Sequence, residues 1–273
     1  MVLQDIRVHP TYVINLDRRP DRWKTFQLQP TLKEFKQLQR FSAVDGKTLS
    51  LYGDTRISLH TRHNIYKNYR RSDYEINTAG AIGASFSHIT LWENFLKGDS
   101  EFLVVFEDDT LVDEKTMKLV DTLIPTLPTD WNMWLLGTHA WGLKTKPLVK
   151  TDPKGWYSVQ NFTGAHAYVL NREGAKILLE NPYPIETHIE YYISGCAEFR
   201  GLKLIKHSKL RVTYGSEADE VADSDTFLNR KSCPTCAIPD NYSEHGVYFS
   251  YEQVIVLIAM GIIGLGVWTG WKK

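Results

Sequence analysis

Three adjacent carboxylates follow a short apolar run in the middle of the sequence. Residues 102–106 read FLVVF, and Glu107, Asp108 and Asp109 come directly after them. The β-branched and aromatic composition predicts a strand buried on both faces, as in the interior of a parallel sheet. Because adjacent charges are costly to bury, the carboxylates are expected where the strand ends and meets solvent, a metal or a cationic ligand.

Such a cluster is a candidate metal site. In an open α/β sheet, ligands bind beyond the carboxyl ends of the strands. Carboxylate oxygens placed there suit a hard divalent cation such as Mg²⁺ or Mn²⁺. Taken alone, three such carboxylates are more often a polar strand exit that binds no metal, so the flanking segments have to decide.

Basic residues follow the first predicted strand, which covers residues 11–16. Arg18, Arg19 and Arg22 lie in the next seven residues, and Pro20 is suited to the first turn of a helix. Arginines in a strand–loop–helix unit indicate a site for a phosphate or another anion. The alternative is a solvated helix start that is held by salt bridges.

A long amphipathic helix is predicted at residues 80–97, ended by Gly98. Gly80 and Gly83 at its start allow a ligand or a strand to approach the backbone closely. His88 lies within this helix, and a lone histidine on a packed face is more often structural than catalytic. Apolar periodicity predicts further helices at 31–39, 113–123 and 172–180 and further strands at 40–44, 132–137 and 164–170, with Asn171 as the N-cap of the last helix.

Residues 49–77 lose this periodicity and are basic and aromatic. A loop of that length is usually functional or mobile. The segment is therefore interpreted either as a contact for an acceptor or an anion, or as a solvated surface insertion.

Composition limits the classes of function. The chain has 273 residues, 12% of them aromatic, which indicates an ordered globular protein. Lys+Arg and Asp+Glu are both 32, so overall charge gives no support for nucleic-acid binding. Cys233 and Cys236 have the spacing of a zinc or redox motif, but no second pair completes a site, and together with Cys196 they do not form a disulfide framework.

The end of the sequence predicts a membrane anchor. Residues 253–271 carry no charge and are almost wholly apolar, close to the roughly 20 residues that span a bilayer. The predicted organisation is a catalytic domain at 1–243, a juxtamembrane linker at 244–252 and a transmembrane helix at 253–271. Lys272 and Lys273 favour a cytosolic C-terminus, and we expect a cytosolic catalytic domain held by its tail.

Four blocks of the sequence, read in order, resemble glycosyltransferase family 25, which contains lipopolysaccharide-sugar and procollagen-type galactosyltransferases. They are the opening strand and arginine loop at 12–23, the Gly80-x-x-Gly83 helix with Ser87, His88 and Trp92, the strand ending in Glu107, Asp108 and Asp109, and the segment 163–179. Each block is a weak signal by itself, and their order makes the joint signal strong.

The resemblance implies an α/β fold, a GT-A-like Rossmann-type nucleotide-sugar domain, here followed by the C-terminal transmembrane helix. It also implies inverting transfer of galactose or glucose from a UDP-sugar to a glycan or protein acceptor, with Mn²⁺ or Mg²⁺ as the cofactor. The metal would be bound by Asp109 together with Glu107 or Asp108. The donor site implied in this way consists of Asn15, Leu16, Arg18, Arg22, Asp45, Ser87, His88 and Asp108.

The resemblance places the general base at Glu190. Where the family tends to have Pro-Ile/Val-Asp, this chain has His188, Ile189 and Glu190, so the carboxylate is retained on a side chain longer by one methylene.

Two other functions are left open. One is a membrane-anchored binding or structural protein with the fold but no activity. The other is a metal-dependent phosphohydrolase, although Asp17 is not followed by the second Asp of an Asp-x-Asp-x-Thr motif.

Overall fold

The fold is built on a mixed sheet of eight strands. A computed structural model describes residues 2–139, 144–147 and 155–214. The ten strands found there are β1 (Thr11–Asn15), β2 (Leu38–Ser42), β3 (Phe102–Glu107), β4 (Thr110–Leu111), β5 (Met133–Gly137), β6 (Lys144–Pro147), β7 (Trp156–Asn161), β8 (Ala167–Asn171), β9 (Leu204–His207) and β10 (Thr213–Tyr214). The large sheet has the order β2-β1-β3-β8-β5-β9-β7-β6, and β4 pairs with β10 separately.

The strand before the carboxylates is buried as predicted, but the strands beside it do not both run parallel to it. β3 runs parallel to β1 on one side and antiparallel to β8 on the other. Leu103 and Val105 pack into the core on one face of the sheet, while Phe102, Val104 and Phe106 pack into the core on the opposite face. The expectation of a purely parallel environment was wrong, because an apolar run indicates two covered faces and not the direction of the neighbouring strands.

Six α-helices within the described residues cover the two faces of the sheet. They are α1 (Pro20–Gln27), α2 (Leu59–Lys67), α3 (Ala79–Lys97), α4 (Glu114–Leu123), α5 (Arg172–Leu179) and α6 (Ile189–Phe199). Pro20 is the first residue of α1, and Asn171 caps α5 by accepting a hydrogen bond from the Gly174 amide at 2.8 Å, so both of these predictions are confirmed. The side chain of Thr78 caps α3 in the same way.

The prediction of a helix at 31–39 was wrong. A 3₁₀ helix at Pro30–Glu34 is followed by extended backbone at Phe35, and β2 begins at Leu38. Leu32 and Phe35 are buried in the core beneath β3, and the Phe35 ring contacts Phe106 at 5.8 Å between centroids. Tertiary packing therefore satisfies the apolar residues whose spacing had predicted a helix.

The segment 49–77 is more ordered than its composition indicated. It contains α2, whose N-cap Ser58 accepts a hydrogen bond from the Thr61 amide and which ends at Asn68 in the left-handed conformation. None of the described helices is long and apolar enough to cross a membrane. The predicted linker at 244–252, the predicted span at 253–271, and Cys233 and Cys236 lie outside the described residues.

Candidate active site

The three carboxylates at the end of β3 have different surroundings. Asp108 is tied to the protein on both oxygens: Asn15 Nδ2 donates to Oδ2 at 2.6 Å and Arg22 Nη1 donates to Oδ1 at 2.8 Å. Arg22 Nη2 also lies 3.5 Å from Asp109 Oδ2. The cationic partner required by a cluster of carboxylates is thus supplied in part by α1.

Glu107 and Asp109 form a second, less compensated pair. Solvent reaches 35% of the Glu107 side chain, yet burial of its carboxylate in the crevice, with the charge of Asp108, raises its pKa to about 7 against the opposing effect of Arg22. Burial, and next the charge of Glu107, raise the pKa of Asp109 to about 7. Asp109 Oδ1 is buried and has no hydrogen-bond partner among the described residues. The two carboxylates therefore repel each other in a place that favours a cation.

Asn15 organises the loop that faces these carboxylates. It is buried at the end of β1, its Oδ1 accepts from Arg40 Nε at 2.7 Å, and its Nδ2 donates to the Arg19 carbonyl as well as to Asp108. The Leu16 carbonyl accepts from the Arg19 amide at 2.9 Å, which closes the turn into α1. Because every polar atom of the Asn15 amide is engaged, its contribution is to hold the loop and Asp108 in place.

The turn at residues 44–46 brings Asp45 to the same edge of the sheet. Arg18 Nε donates to Asp45 Oδ2 at 2.7 Å, and Asp45 Oδ1 accepts from the Lys47 amide. Ser87 is buried in α3, where its hydroxyl donates to the Gly83 carbonyl and accepts from the Val44 amide at 2.9 Å. Ser87 therefore positions the turn.

Two glycines make this contact possible. A Cβ at Gly83 would lie 2.3 Å from the Val44 carbonyl oxygen, and one at Gly46 would lie 1.7 Å from the Ala79 carbonyl oxygen. The close backbone approach anticipated at the start of the helix is confirmed for Gly83, and the approaching group is the turn that carries Asp45.

His88 joins the carboxylates to a buried polar chain. Trp92 Nε1 donates to the Tyr168 hydroxyl at 2.9 Å, and that hydroxyl lies 2.9 Å from His88 Nδ1. Burial lowers the pKa of His88 to about 4, so the ring is neutral near pH 7. The other ring nitrogen of His88, Nε2, lies 3.5 Å from Glu107 Oε1, so the imidazole bridges Tyr168 and the carboxylate.

Glu190 reaches the site from the opposite side. It lies in the first turn of α6, and its Oε1 accepts from the Gly164 amide at 3.2 Å. Burial, with the nearby charge of Glu107, raises the pKa of Glu190, while His88 opposes the shift. Gly164 has a φ of 78°, and a Cβ there would lie 2.4 Å from the His139 ring, so this position requires glycine.

The segment before α6 is held by the chain around α2. Ile57 and Glu75 form β-bridges with Ile185 and Thr187, and the His188 amide donates to the Tyr74 carbonyl at 3.1 Å. Glu75 is itself buried and accepts hydrogen bonds from Arg71, Asn64 and His60. The aperiodic segment thus forms a wall that fixes the entry to α6 and, with it, the position of Glu190.

The structure brings all the predicted site residues to one edge of the sheet. Sequence reasoning gave no role to Tyr168, Gly164 or Arg40. A tyrosine in an otherwise apolar strand was the available signal for the first, because a buried hydroxyl requires a partner. For the other two, the partner is distant in sequence and no local pattern marks it.

Comparison with known proteins places this chain in a family. The model described as "Glycosyltransferase family 25 (LPS biosynthesis protein)" matches residues 8–193, more than half of the chain, and these contain every predicted site residue. The chain belongs to glycosyltransferase family 25. The resemblance drawn from the four sequence blocks is therefore confirmed.

Two relatives of this glycosyltransferase family 25 member are considerably longer than the chain itself. Human "Procollagen galactosyltransferase 2" is 25% identical over 246 residues, covering 79% of this chain and 37% of that protein. "Probable inactive glycosyltransferase 25 family member 3" of Rattus norvegicus is 28% identical over 173 residues, covering 62% of this chain and 29% of that protein. The chain thus spans well under half the length of these relatives.

Among solved structures, apo UDP-glucose pyrophosphorylase aligns with a TM-score of 0.37 and 10% identity, covering 75% of this chain and 74% of that chain. A score this low does not indicate a common fold.

Proposed function

We propose that this glycosyltransferase family 25 member transfers galactose or glucose from a UDP-sugar to a hydroxyl group of a glycan or protein acceptor, with inversion at the anomeric carbon, on a GT-A-like Rossmann-type domain. The observation that carries the proposal is the convergence of Glu107, Asp109 and Glu190 at the carboxyl end of β3. Two carboxylates suited to a cation and a third suited to a proton are the groups that such a transfer requires.

The residues present fit a divalent cation, Mn²⁺ or Mg²⁺, held by Glu107 and Asp109. Asp109 Oδ1 is buried with no described partner, and each carboxylate lacks full compensation of its charge. Asp108 is less suited, because Asn15 and Arg22 already occupy both of its oxygens. No described cluster offers three metal-binding side chains; two carboxylates, with substrate phosphate oxygens and water, are a common set for Mg²⁺.

The donor nucleotide would lie against the loop after β1 and the turn at residues 44–46. Arg18 and Arg22 supply positive charge for the diphosphate, and Asp45 and the Leu16 backbone border the same space. Asn15, Ser87, His88 and Asp108 would act mainly by holding these groups in position, because their polar atoms are engaged within the protein.

In the proposed reaction, the acceptor oxygen attacks the anomeric carbon while the bond to the UDP oxygen breaks. Glu190 accepts the proton of the acceptor hydroxyl, and its raised pKa brings it closer to the operating pH than an ordinary glutamate. Arg22 orients Asp108 and Asp109. A bound cation, when present, would offset the negative charge that develops on the departing diphosphate.

Calorimetry of UDP binding with Mn²⁺ and with a chelator tests the centre of this proposal. The wild type is expected to bind UDP more tightly with Mn²⁺. Asp109→Asn should largely abolish that difference while its melting temperature holds or rises, because the substitution relieves repulsion with Glu107. Asp99→Asn, an exposed aspartate, is the matched control. Equal UDP affinity of the wild type with Mn²⁺ and with chelator would contradict the metal-dependent reading.

A second candidate function is a binding protein without transferase activity. The observation in its favour is that a relative carries the name of a probable inactive family member. UDP binding without transfer or hydrolysis of UDP-galactose and UDP-glucose would support this alternative.

Membrane attachment through residues 253–271 is a separate proposal that depends on the apolar sequence of that segment alone.

A further inference from the structure

Exposed apolar side chains are concentrated in one part of the described surface. Nine large apolar side chains are exposed among the described residues. Five of them lie within residues 52–74, namely Tyr52, Leu59, Tyr66, Tyr69 and Tyr74. This is part of the segment that forms the wall before α6, and the proposed reaction gives its outer surface no role. Clustered apolar side chains that remain in water often mark a site of interaction.

The helix of this segment, α2, carries apolar residues on the side that faces away from the core. Thr61 and Asn64 are buried on its inner side. Leu59 and Tyr66 are 77% and 82% exposed, and their spacing of seven residues places them in line along the helix. The same geometry places Arg62 on one flank of that line and Lys67 on the other. We define the outer face of α2 as Leu59, Arg62, His63, Tyr66 and Lys67.

The two cations on the flanks of the outer face have no ion pair within the described residues. Segment 49–77 contains three acidic residues, and each of them bonds to an arginine that is not part of this face. The pairs are Asp54 with Arg56, Asp73 with Arg70 and Glu75 with Arg71. Lys67 Nζ lies 5.2 Å from the centroid of the Tyr66 ring. The outer face is therefore apolar along its middle and positively charged along both flanks.

This arrangement fits the surface of an anionic bilayer. A helix with an apolar stripe and cationic flanks lies in the plane of the bilayer interface, where cations bind lipid phosphates. Tyrosine suits the depth of the headgroups because its ring is apolar and its hydroxyl is polar. A second copy of the chain is a poorer match, because a two-fold contact would bring the cations of one outer face against those of the other.

We propose that the outer face of α2 docks on an anionic bilayer surface. Leu59 and Tyr66 would enter the headgroup region, and the flanking cations would bind lipid phosphates. The Thr61 hydroxyl donates to the Glu186 carbonyl at 3.4 Å, so α2 is attached to the segment that leads into α6. Docking would therefore hold the candidate active site beside the bilayer. The proposal depends neither on transferase activity nor on residues 253–271.

Photo-crosslinking of the full chain at the surface of vesicles tests the contact at a single side chain. Because one short helix binds lipid weakly by itself, a C-terminal histidine tag and a nickel-chelating lipid hold the chain at the vesicle. Benzoylphenylalanine in place of Tyr66 should form lipid adducts, identified by mass spectrometry, on vesicles that contain phosphatidylserine. We expect several-fold fewer adducts on phosphatidylcholine alone or at high salt. The matched control carries the same group in place of Phe199, an exposed residue of α6, and should show no dependence on lipid charge.

Charge variants test the cations of the outer face. Lys67→Glu should lower the yield of lipid adducts at residue 66 by about fivefold or more. Lys33→Glu, which makes the same change at an exposed lysine outside α2, should leave the yield unchanged. Melting temperatures establish that each variant is folded.

Three results would overturn the proposal. They are equal lipid adducts at residues 66 and 199, a yield at residue 66 that does not depend on lipid charge, and adducts at residue 66 with a second copy of the chain in place of lipid. UDP is absent from the experiment, so its outcome is separate from that of the proposed function.

Discussion

Glu190, the residue proposed as the general base, is held by backbone hydrogen bonds in a buried position. The Gly164 amide bonds to Oε1, while burial and the charge of Glu107 raise the pKa of the group. A carboxylate in such surroundings is a stronger base than one fully compensated by a cation. The position and the raised pKa of Glu190 therefore both suit the role of general base that we propose.

Glu190→Gln should lower the turnover number by about 10²–10⁴-fold and leave UDP affinity nearly unchanged, since the amide retains the Gly164 bond but cannot accept the acceptor proton. Steady-state transfer rates and calorimetry measure the two quantities. Glu198→Gln is the control, because Glu198 lies on the same helix and is exposed. Unchanged turnover in Glu190→Gln would move the role of base to Glu186 or His188.

Lys206 illustrates a different kind of buried charge. It lies in β9 with 7% of its surface exposed, and its Nζ has only a long hydrogen bond, 3.4 Å, to the Leu210 carbonyl. Burial, assisted by the charge of Arg211, lowers its pKa to about 8. The folded state therefore disfavours the protonated lysine, and below pH 8 this destabilises the protein by up to about 3 kcal/mol.

Lys206→Met should raise the free energy of unfolding at pH 7. Because the folded-state pKa is below the unfolded value of 10.5, the wild type recovers stability as pH rises through the window from about 8 to 10.5, and the advantage of the variant should shrink there. Denaturant titrations across that range measure the effect, with exposed Lys209→Met as the control. A pH-independent difference would show that packing of the methionine causes it.

At the scale of elements, the contact between α3 and the turn at residues 44–46 positions one side of the site. Ser87 bonds to Val44, Gly83 admits the turn, and the turn presents Asp45 to Arg18. These three groups position Asp45 whether or not they contact a ligand themselves. Close backbone packing explains the glycine at position 83 of α3.

Gly83→Ala should destabilise the protein by about 1–3 kcal/mol and weaken UDP binding, because the new methyl group would displace the Val44 carbonyl and shift Asp45. Thermal unfolding and calorimetry give the two values. Gly98→Ala is the matched control at the end of the same helix, where the nearest atom to a Cβ is 3.7 Å away. Destabilisation without any change in UDP affinity would separate the turn from donor binding.

At the scale of the whole molecule, the apolar segment at 253–271 remains a prediction from sequence. A chain stopped at residue 243 should unfold cooperatively and bind UDP as the full chain does, because both cores and the candidate site are formed by residues 2–214. The full chain should partition into lipid vesicles and the shortened one should not. Loss of cooperative unfolding on truncation would instead make the segment part of the fold.

The sequence by itself determined the elements whose signals are local. β3 follows from an uninterrupted apolar run, α5 from its N-cap and amphipathic pattern, and α3 from its apolar faces and terminal Gly98. The family followed from four blocks in order. These signals are contained within a few turns of helix or one strand, so no distant residue is needed to recognise them.

Only the tertiary structure decided which residues contact each carboxylate of the candidate site. Asp108 is bound by Asn15 and Arg22, which are 93 and 86 residues away in the chain, and this leaves Glu107 and Asp109 as the less compensated pair. Likewise, the direction of β8 beside β3 has no local signal. Three adjacent carboxylates are chemically alike in a sequence, and they become different when folding surrounds each of them with different charges, donors and solvent.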